Sequence, residues 1–235
     1  CEADPVGMIG EGTRMVEVEK RKNYSEEQVE QLSNEVVSST DKMVFITHYS
    51  RDMDRFRSLY TVAKNNNRKI VISTKNAYLL SKLVGDKRLD LPDPMKTEHI
   101  LVYYKRKKSG DYLEKDYYIW ERQFMKKMVT YEDIHENQSR LLMDLNFYQF
   151  AELIDIKPDP QSHFIHSMSE PFSEEDLEDE IMHNWLNLFK MQFHQLHASG
   201  HMNRKQLENL IEKVKPNRVF PIHTENPELF KKLNK

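Results

Sequence analysis

Hydrophobic residues along this chain recur with two different spacings, which together predict an α/β fold. Short apolar runs rich in β-branched residues, such as residues 43–47 and 69–73, are typical of buried strands. Between such runs, apolar residues return every three or four positions, as on one face of an amphipathic helix. Strands that alternate with helices in this way form a mostly parallel sheet flanked by helices.

The predicted elements follow one another along most of the chain. We predict strands at residues 43–47, 69–73, 100–104, 140–143 and 163–167. We predict helices at residues 24–39, 52–66, 76–84, 116–128, 147–153 and 173–189, and leave 131–136 unassigned. The first two strands, joined by one helix, are expected to be parallel neighbours. Asp144 is expected to open the helix at 147–153. The residues expected to face the core from the last helix are Leu177, Ile181, Trp185, Leu188 and Phe189.

The last fifty residues carry the most specific pattern. Asn203 and Gln206 have the spacing of a capping box, which predicts a helix at 203–214 that ends before Pro216. Residues 218–222 are then predicted to form a short buried strand. This strand would deliver His223 at its carboxyl end, where α/β folds place their ligands.

Ten histidines are spread over the chain, and their spacing alone leaves two interpretations open. A histidine at a strand end is more often a hydrogen-bonded structural residue than a metal ligand or an acid-base group. His194, His197 and His201 have the spacing of one helical face, but Ser199-Gly200 interrupts a continuous helix there.

Composition limits the classes of function. The chain has 235 residues, enough for one large domain or two modest ones, and its hydrophobic fraction is 38%. No apolar run approaches the roughly eighteen residues that span a bilayer, so we expect no membrane segment. Its single cysteine permits no internal disulfide, which suits a cytoplasmic protein. With a net charge of −3, nucleic-acid binding would depend on local basic patches.

Several short segments are candidate phosphate contacts. Ser50-Arg51 and Ser167 lie at predicted strand-to-helix junctions, and Ser199-Gly200 precedes His201. Backbone N–H groups and hydroxyls at such junctions can bind phosphate, although serine there more often only caps the helix. The basic run 105–108, flanked by tyrosines, could hold a nucleic-acid strand, but a solvated hairpin tip is favoured.

Three ordered motifs give the chain a resemblance to a known family. They are Glu11-Gly12-Thr13, the Ser-Gly-His segment that ends at His201, and Pro-Ile-His-Thr-Glu around His223. These motifs resemble those of the β-CASP branch of the metallo-β-lactamase superfamily. That branch contains nucleases such as RNase J and the endonuclease of the mRNA cleavage and polyadenylation machinery. Histidine rather than valine at position 223 is similar to the RNA-directed members.

The resemblance implies a domain organisation. Residues 23–191 would form a β-CASP domain, and residues 1–22 and 192–235 would be remnants of an interrupted metallo-β-lactamase αββα domain. The superfamily's main metal-binding signature, His-x-His-x-Asp-His, is absent from the sequence, and His163 with His166 is its nearest imitation. We therefore expect the C-terminal portion of a longer enzyme, whose partner is the missing N-terminal half. An uncovered apolar face would favour poor solubility or a homodimer.

The chemistry that the resemblance implies is hydrolysis of RNA phosphodiester bonds with two zinc ions in the full-length parent. His223 would bind one metal, and His201 would be a hydrogen-bond donor or general acid to the leaving 3′ oxygen. Glu11 would orient His201, with Thr13 assisting. The expected phosphate contacts are Thr13, Ser50, Arg51, Ser167, Ser199 and Gly200. With an incomplete zinc site, the isolated chain is expected to be inactive.

Two other functions are considered. One is a catalytically silent RNA-binding or assembly module, which follows if the parent lacks the remaining metal ligands. The other is a small-molecule hydrolase of the broader superfamily, which the long inserted domain disfavours.

Overall fold

The computed structural model describes residues 6–17, 22, 24–171 and 176–231. The chain divides into two compact units, of which the smaller combines Cys1–Ser25 with Ala198–Lys235. The larger unit is Glu26–His197. None of the helices in the described ranges is long and apolar enough to cross a membrane.

The strands are β1 (Met8–Glu11), β2 (Val44–His48), β3 (Lys69–Ser73), β4 (Ile100–Tyr103), β5 (Met128–Val129), β6 (Leu141–Asp144), β7 (His163–Ser167), β8 (Gln192–Gln195) and β9 (Val219–Ile222). The α-helices are α1 (Glu26–Ser38), α2 (Met53–Asn65), α3 (Thr74–Leu83), α4 (Ile119–Arg122), α5 (Tyr131–Glu136), α6 (Leu153–Ile156), α7 (Leu177–Leu188), α8 (Arg204–Val214) and α9 (Pro227–Lys231). Short 3₁₀ turns lie at Glu114–Asp116, Met125–Lys127, Gln138–Arg140 and Phe147–Glu152.

A parallel sheet forms the centre of the larger unit. Its strand order is β5-β4-β3-β6-β2-β7-β8, and every one of these neighbouring pairs is parallel. All residues of β2 and β6 are buried, as expected for strands covered on both faces. The predicted α/β class, with a mostly parallel sheet flanked by helices, is confirmed.

One predicted strand pairing is wrong. β2 and β3 are not neighbours, because β6 lies between them and pairs with both. Leu142 is in register with Val44 on one side and with Ile70 on the other. All four residues of β6 are buried, which is typical of a central strand in a sheet covered on both faces.

Two predicted helices differ from the structure. Residues 116–128 form separate short turns around α4, because the Glu121 carboxylate accepts a hydrogen bond from the Tyr118 N–H and starts a new turn there. At 147–153, a 3₁₀ turn opens on Asn146 and runs into α6. Asp144 does not open it, since this side chain is buried and bonded to Asn76. The unassigned segment 131–136 is helical.

The inner face of α7 was predicted correctly only in part. Trp185 and Phe189 pack against the core as expected. Leu177, Ile181 and Leu188 are instead 70%, 42% and 68% exposed, whereas Met182 and Leu186 are buried. The helix begins only at Leu177, capped by Asp176.

The smaller unit is built on the parallel pairing of β1 with β9. α8 starts at the predicted Asn203-Gln206 capping box and ends at Lys215 in the left-handed conformation. Its core consists of Met15, Leu207, Ile211, Val219, Leu229 and Phe230.

The strand at 218–222 was predicted to be buried, but only Val219 of β9 is. Phe220 and Ile222 are 52% and 44% exposed, and Ile9, in register with Phe220, is 70% exposed. One face of this two-stranded sheet packs on the core of the smaller unit. The three exposed side chains lie on its other face.

Arg55 is a buried cation in the core of the larger unit, and the sequence analysis did not identify it. Its guanidinium donates to both carboxylate oxygens of Glu26, at 3.0 and 2.8 Å. It also donates to the Ser167 carbonyl at 3.2 Å and to the Ser167 hydroxyl. This one side chain therefore joins α2 to the start of α1 and to the end of β7.

We expect Arg55→Ala to lower the free energy of unfolding by about 2–5 kcal/mol, because it removes a fully buried side chain and the hydrogen bonds that it donates to the buried Ser167. Arg55→Lys should not restore stability, since an ammonium group cannot reproduce the two-pronged contact. Urea unfolding measures both. Arg88→Ala, which removes an exposed arginine, is the control, and equal stability of Arg55→Ala and this control would contradict the assignment.

Gly12 lies between the two polar residues of the N-terminal motif and leaves room for Phe230. A Cβ placed on Gly12 would approach the Phe230 ring to 2.8 Å and the Thr224 Cβ to 2.9 Å. Such distances force a shift in the packed core of the smaller unit.

We expect Gly12→Ala to destabilise the smaller unit by about 1–3 kcal/mol through overpacking. Gly200→Ala is the matched control, because a Cβ there meets no atom within 4 Å. Thermal unfolding of the two variants compares them directly. A Gly12→Ala protein as stable as Gly200→Ala would show that Phe230 moves aside at no cost.

Candidate functional site

A carboxylate and an imidazole meet in the smaller unit. Glu11, the last residue of β1, places its Oε2 atom 3.1 Å from the Nδ1 atom of His201. The other carboxylate oxygen accepts hydrogen bonds from the N–H of Thr13, at 2.9 Å, and from the Thr13 hydroxyl. Three donors therefore hold the Glu11 carboxylate in one orientation.

These contacts keep Glu11 ionised. Burial acts to raise the pKa of Glu11, but the hydrogen bonds from Thr13 and the charge and hydrogen bond of His201 outweigh it, so the pKa is lowered. Because an ionised carboxylate only accepts hydrogen bonds, the Nδ1 atom of His201 carries a proton. The Nε2 atom of His201 is then the ring nitrogen available to a ligand, and the side chain is 53% exposed.

His223 lies beside this pair because of strand register. Glu11 is in register with Ile222, and the Gly12 N–H donates to the Ile222 carbonyl at 2.9 Å. The Thr13 hydroxyl lies 3.3 Å from the His223 carbonyl. His223 itself is in the left-handed backbone region, with φ of 48°, and it is exposed.

The residues of this site do not by themselves make a zinc centre. Within the described ranges, no group of three or more His, Cys, Asp or Glu side chains is arranged to hold a metal ion. A catalytic zinc ion ordinarily has three protein ligands. His223 is thus a candidate for one ligand of such a centre.

The structure places two predicted phosphate contacts next to His201. The Ser199 hydroxyl accepts a hydrogen bond from the His201 N–H at 3.2 Å, so it shapes the loop. Gly200 is exposed, with open space around its Cα. The loop interrupts any helix between His194 and His201, as predicted.

The other predicted phosphate contacts belong to the larger unit. Ser50 and Arg51 are exposed after β2, and the cap of α2 is Asp52 rather than Ser50. Ser167 is only 1% exposed, and its hydroxyl donates to the Leu196 carbonyl at 2.6 Å. The position of Ser167 therefore does not support a phosphate contact. Ser169, two residues later, lines a cavity and bonds to the Tyr49 hydroxyl at 3.1 Å.

A cavity of about 710 Å³ in the larger unit was missed by the sequence analysis. Its lining includes residues that follow the carboxyl ends of β2, β3, β4, β6 and β7, such as Tyr49, Thr74, Lys105, Asn146 and Met168. The sequence does contain a signal for this cavity, since polar and aromatic residues follow each predicted parallel strand. The carboxyl ends of parallel strands meet at one edge of the sheet, so these residues are expected to lie close together.

The basic run 105–108 is not a hairpin tip, because β4 pairs only with the parallel strands β3 and β5. Lys107 is bound to the Glu121 carboxylate, and Arg106 to Asp155. Lys105 also lines the cavity.

Comparisons with known proteins agree with this architecture. Residues 189–232 match the family model described as "Zn-dependent metallo-hydrolase RNA specificity domain". A solved structure of a protein of unknown function from Enterococcus faecalis V583 is similar, with a TM-score of 0.67 and 18% sequence identity. The similarity covers 95% of this chain and 47% of that chain, so the chain spans about half of that protein's length. At this identity the likeness concerns the fold.

No curated protein matches the chain. The RNA specificity domain is characteristic of one family of metallo-hydrolases, and the mostly parallel α/β fold is consistent with it. The match covers only the C-terminal part of the chain, and it agrees with the motif resemblance to the β-CASP family.

Proposed function

We propose that this chain is the portion of a zinc-dependent, RNase J-like ribonuclease that supplies RNA binding and the acid-base group for phosphodiester hydrolysis. The observation that carries the proposal is the Glu11–His201 contact at the edge shared by β1 and β9. Part of this site, including His201 and His223, lies within the residues that match the RNA specificity domain.

The division into two units supports the proposed domains. We assign residues 23–191 to the β-CASP domain, and residues 1–22 and 192–235 to a metallo-β-lactamase-like domain. The face formed by Ile9, Phe220 and Ile222 is assigned to contact with the metal-binding half of that domain, in preference to a homodimer. RNA is the macromolecular substrate, and the proposed compartment is the cytoplasm.

Each residue of the site has a proposed role. His201, with Nδ1 bonded to Glu11, presents Nε2 to the substrate and donates a proton to the 3′ oxygen that leaves the phosphorus. Glu11 is a positioning residue, and Thr13 fixes its carboxylate. Ser199 and Gly200 shape the loop that approaches the phosphate. Ser50 and Arg51 are the proposed phosphate contacts of the larger unit.

Zinc chemistry is assigned to ligands beyond the described residues. Bound zinc lowers the pKa of its water to near neutrality and so provides the nucleophile. Within this chain, His223 is the proposed contributor to such a site, because it is exposed and its backbone carbonyl lies 3.3 Å from the Thr13 hydroxyl.

The alternative is a catalytically silent RNA-binding or assembly module of the same family. The observation in its favour is that the described residues contain no three-ligand metal cluster. The two functions differ in whether the full-length protein carries His-x-His-x-Asp-His. Zinc analysis and RNA cleavage by that protein distinguish them.

In the full-length protein, we expect His201→Ala to reduce RNA cleavage roughly 100- to 10,000-fold while leaving the zinc content unchanged. His223→Ala should lower both cleavage and zinc content, because it removes a metal ligand. Single-turnover cleavage and elemental analysis give the two readouts. His183→Ala, a partly exposed histidine on α7, is the control. Equal zinc loss in His201→Ala and His223→Ala would overturn the role assignment.

Acid should weaken the smaller unit through Glu11. Because the folded state lowers the pKa of Glu11, its ionised form stabilises the fold above the ordinary pKa of 4.5. That stability is lost as the pH falls through the lower, folded-state pKa. We expect the wild type to lose more unfolding free energy below pH 4.5 than Glu11→Gln does.

Chemical denaturation at several pH values measures this difference. Glu225→Gln, which neutralises an exposed carboxylate of the same unit, should behave as the wild type does. Identical pH profiles for the wild type and Glu11→Gln would show that the Thr13 and His201 contacts do not stabilise the carboxylate.

A further inference from the structure

The cavity of the larger unit combines features that the proposed roles above leave unused. It lies at the edge where parallel strands end, and three of its lining residues are exposed tyrosines. Tyr49, Tyr118 and Tyr148 are 44%, 68% and 84% exposed. Exposed aromatic rings grouped at one cavity provide flat surfaces on which unpaired bases stack.

Contacts behind Tyr118 hold it in place. Its ring is nearly parallel to that of Trp120, with an angle of 10°, and Tyr78 packs edge-on against Trp120. The buried Glu121 carboxylate accepts hydrogen bonds from the Tyr118 N–H, from Thr74 and from Lys107. Lys107 also lies 5.1 Å from the centre of the Tyr118 ring. The stacking surface is thus pre-organised and its supporting charges are mutually satisfied.

His48 provides an unsatisfied polar atom at the same cavity. It lines the cavity at the end of β2 and is only 5% exposed. Its Nδ1 atom lies 3.0 Å from the Tyr49 carbonyl, so Nδ1 carries a proton. In the described part of the chain, Nε2 is buried without a hydrogen-bond partner and lies 3.9 Å from the Asp144 carboxylate. A base edge carries both N–H donors and acceptor atoms, so it can supply the hydrogen bond that Nε2 lacks.

The charges around the cavity are separated by the order of the strands. Lys75 and Lys105 follow β3 and β4, line the cavity, and form no ion pair with any described residue. The acidic residues Asp176, Glu178 and Asp179 line it from α7, which follows β7. Since β7 is separated from β3 by β6 and β2, a phosphate is directed to the β3–β4 side.

We propose that this cavity binds one unpaired nucleotide of a single-stranded RNA, with its base on the tyrosine surfaces and the polar edge of the base hydrogen-bonded to the Nε2 atom of His48. Its phosphate lies at Lys75 and Lys105. This inference rests on the proposed RNA-directed function and adds a base-binding subsite to it. The volume of about 710 Å³ is within the range of ordinary ligand pockets.

The test is an anisotropy titration of fluorescein-labelled single-stranded RNA, and of the same strand with abasic nucleotides. We expect Tyr118→Ala to weaken binding of the normal strand roughly 5- to 150-fold and to leave the abasic strand unaffected. Lys75→Gln and Lys105→Gln should each reduce the slope of log affinity against log salt by about 0.7 for both strands.

Two matched controls are available. Ile119→Ala removes an 82% exposed side chain next to Tyr118 that does not line the cavity. Lys69→Gln removes an exposed lysine at the opposite end of β3 from Lys75. Both should bind RNA as the wild type does, and thermal unfolding verifies that every variant is folded.

Three other outcomes would overturn the proposal, and each shows which part of it is wrong. If the wild type binds RNA and all three cavity variants bind it equally well, RNA lies elsewhere and only the subsite fails. If the wild type binds free nucleoside monophosphates in a Tyr118-dependent manner but not RNA strands, the site takes free nucleotides and the RNA assignment fails. Binding of neither ligand overturns the subsite altogether. The proposed ribonuclease function is tested separately, by zinc content and cleavage in the His201 and His223 variants.

Discussion

The parallel pairing of β1 with β9 is the constraint on which the candidate site depends. Glu11 and Ile222 are in register, so the residues that follow each strand emerge at the same edge. Thr13 then contacts both the Glu11 carboxylate and the His223 backbone. A shift of one residue in this register would turn Glu11 to the opposite face of the sheet and remove its contact with His201.

The two units use the same principle of α/β folds with different chemistry. In both, functional side chains follow the carboxyl ends of parallel strands, where successive loops converge. In the smaller unit Glu11 ends β1 and His223 follows β9, while the loop before α8 brings His201 to Glu11. The larger unit places aromatic rings and lysines at its strand ends. The proposed roles, proton transfer in the smaller unit and RNA binding in the larger unit, follow from these different side chains.

The features predictable from the sequence were those with local signals. The capping box of Asn203 and Gln206 predicted the start of α8, because a cap depends on residues three positions apart. The insertion of β6 between β2 and β3 has no local signal, since it depends on pairing across about a hundred residues. Burial was similarly misjudged where tertiary packing decides it, as for Leu177. Arg55 was missed because its partners, Glu26 and Ser167, are remote in sequence.

The Glu11–Thr13 segment and His201 carry the motif resemblance, but the sequence could not supply their geometry. Only the fold brings Glu11 and His201 together, across 190 positions of chain. This separation in sequence determines when the contact can form during translation. The larger unit emerges from the ribosome before β9 exists, and domains generally fold as units while the chain grows. The Glu11–His201 contact therefore forms last, so a nascent or prematurely terminated chain has the folded sheet of the larger unit without this contact.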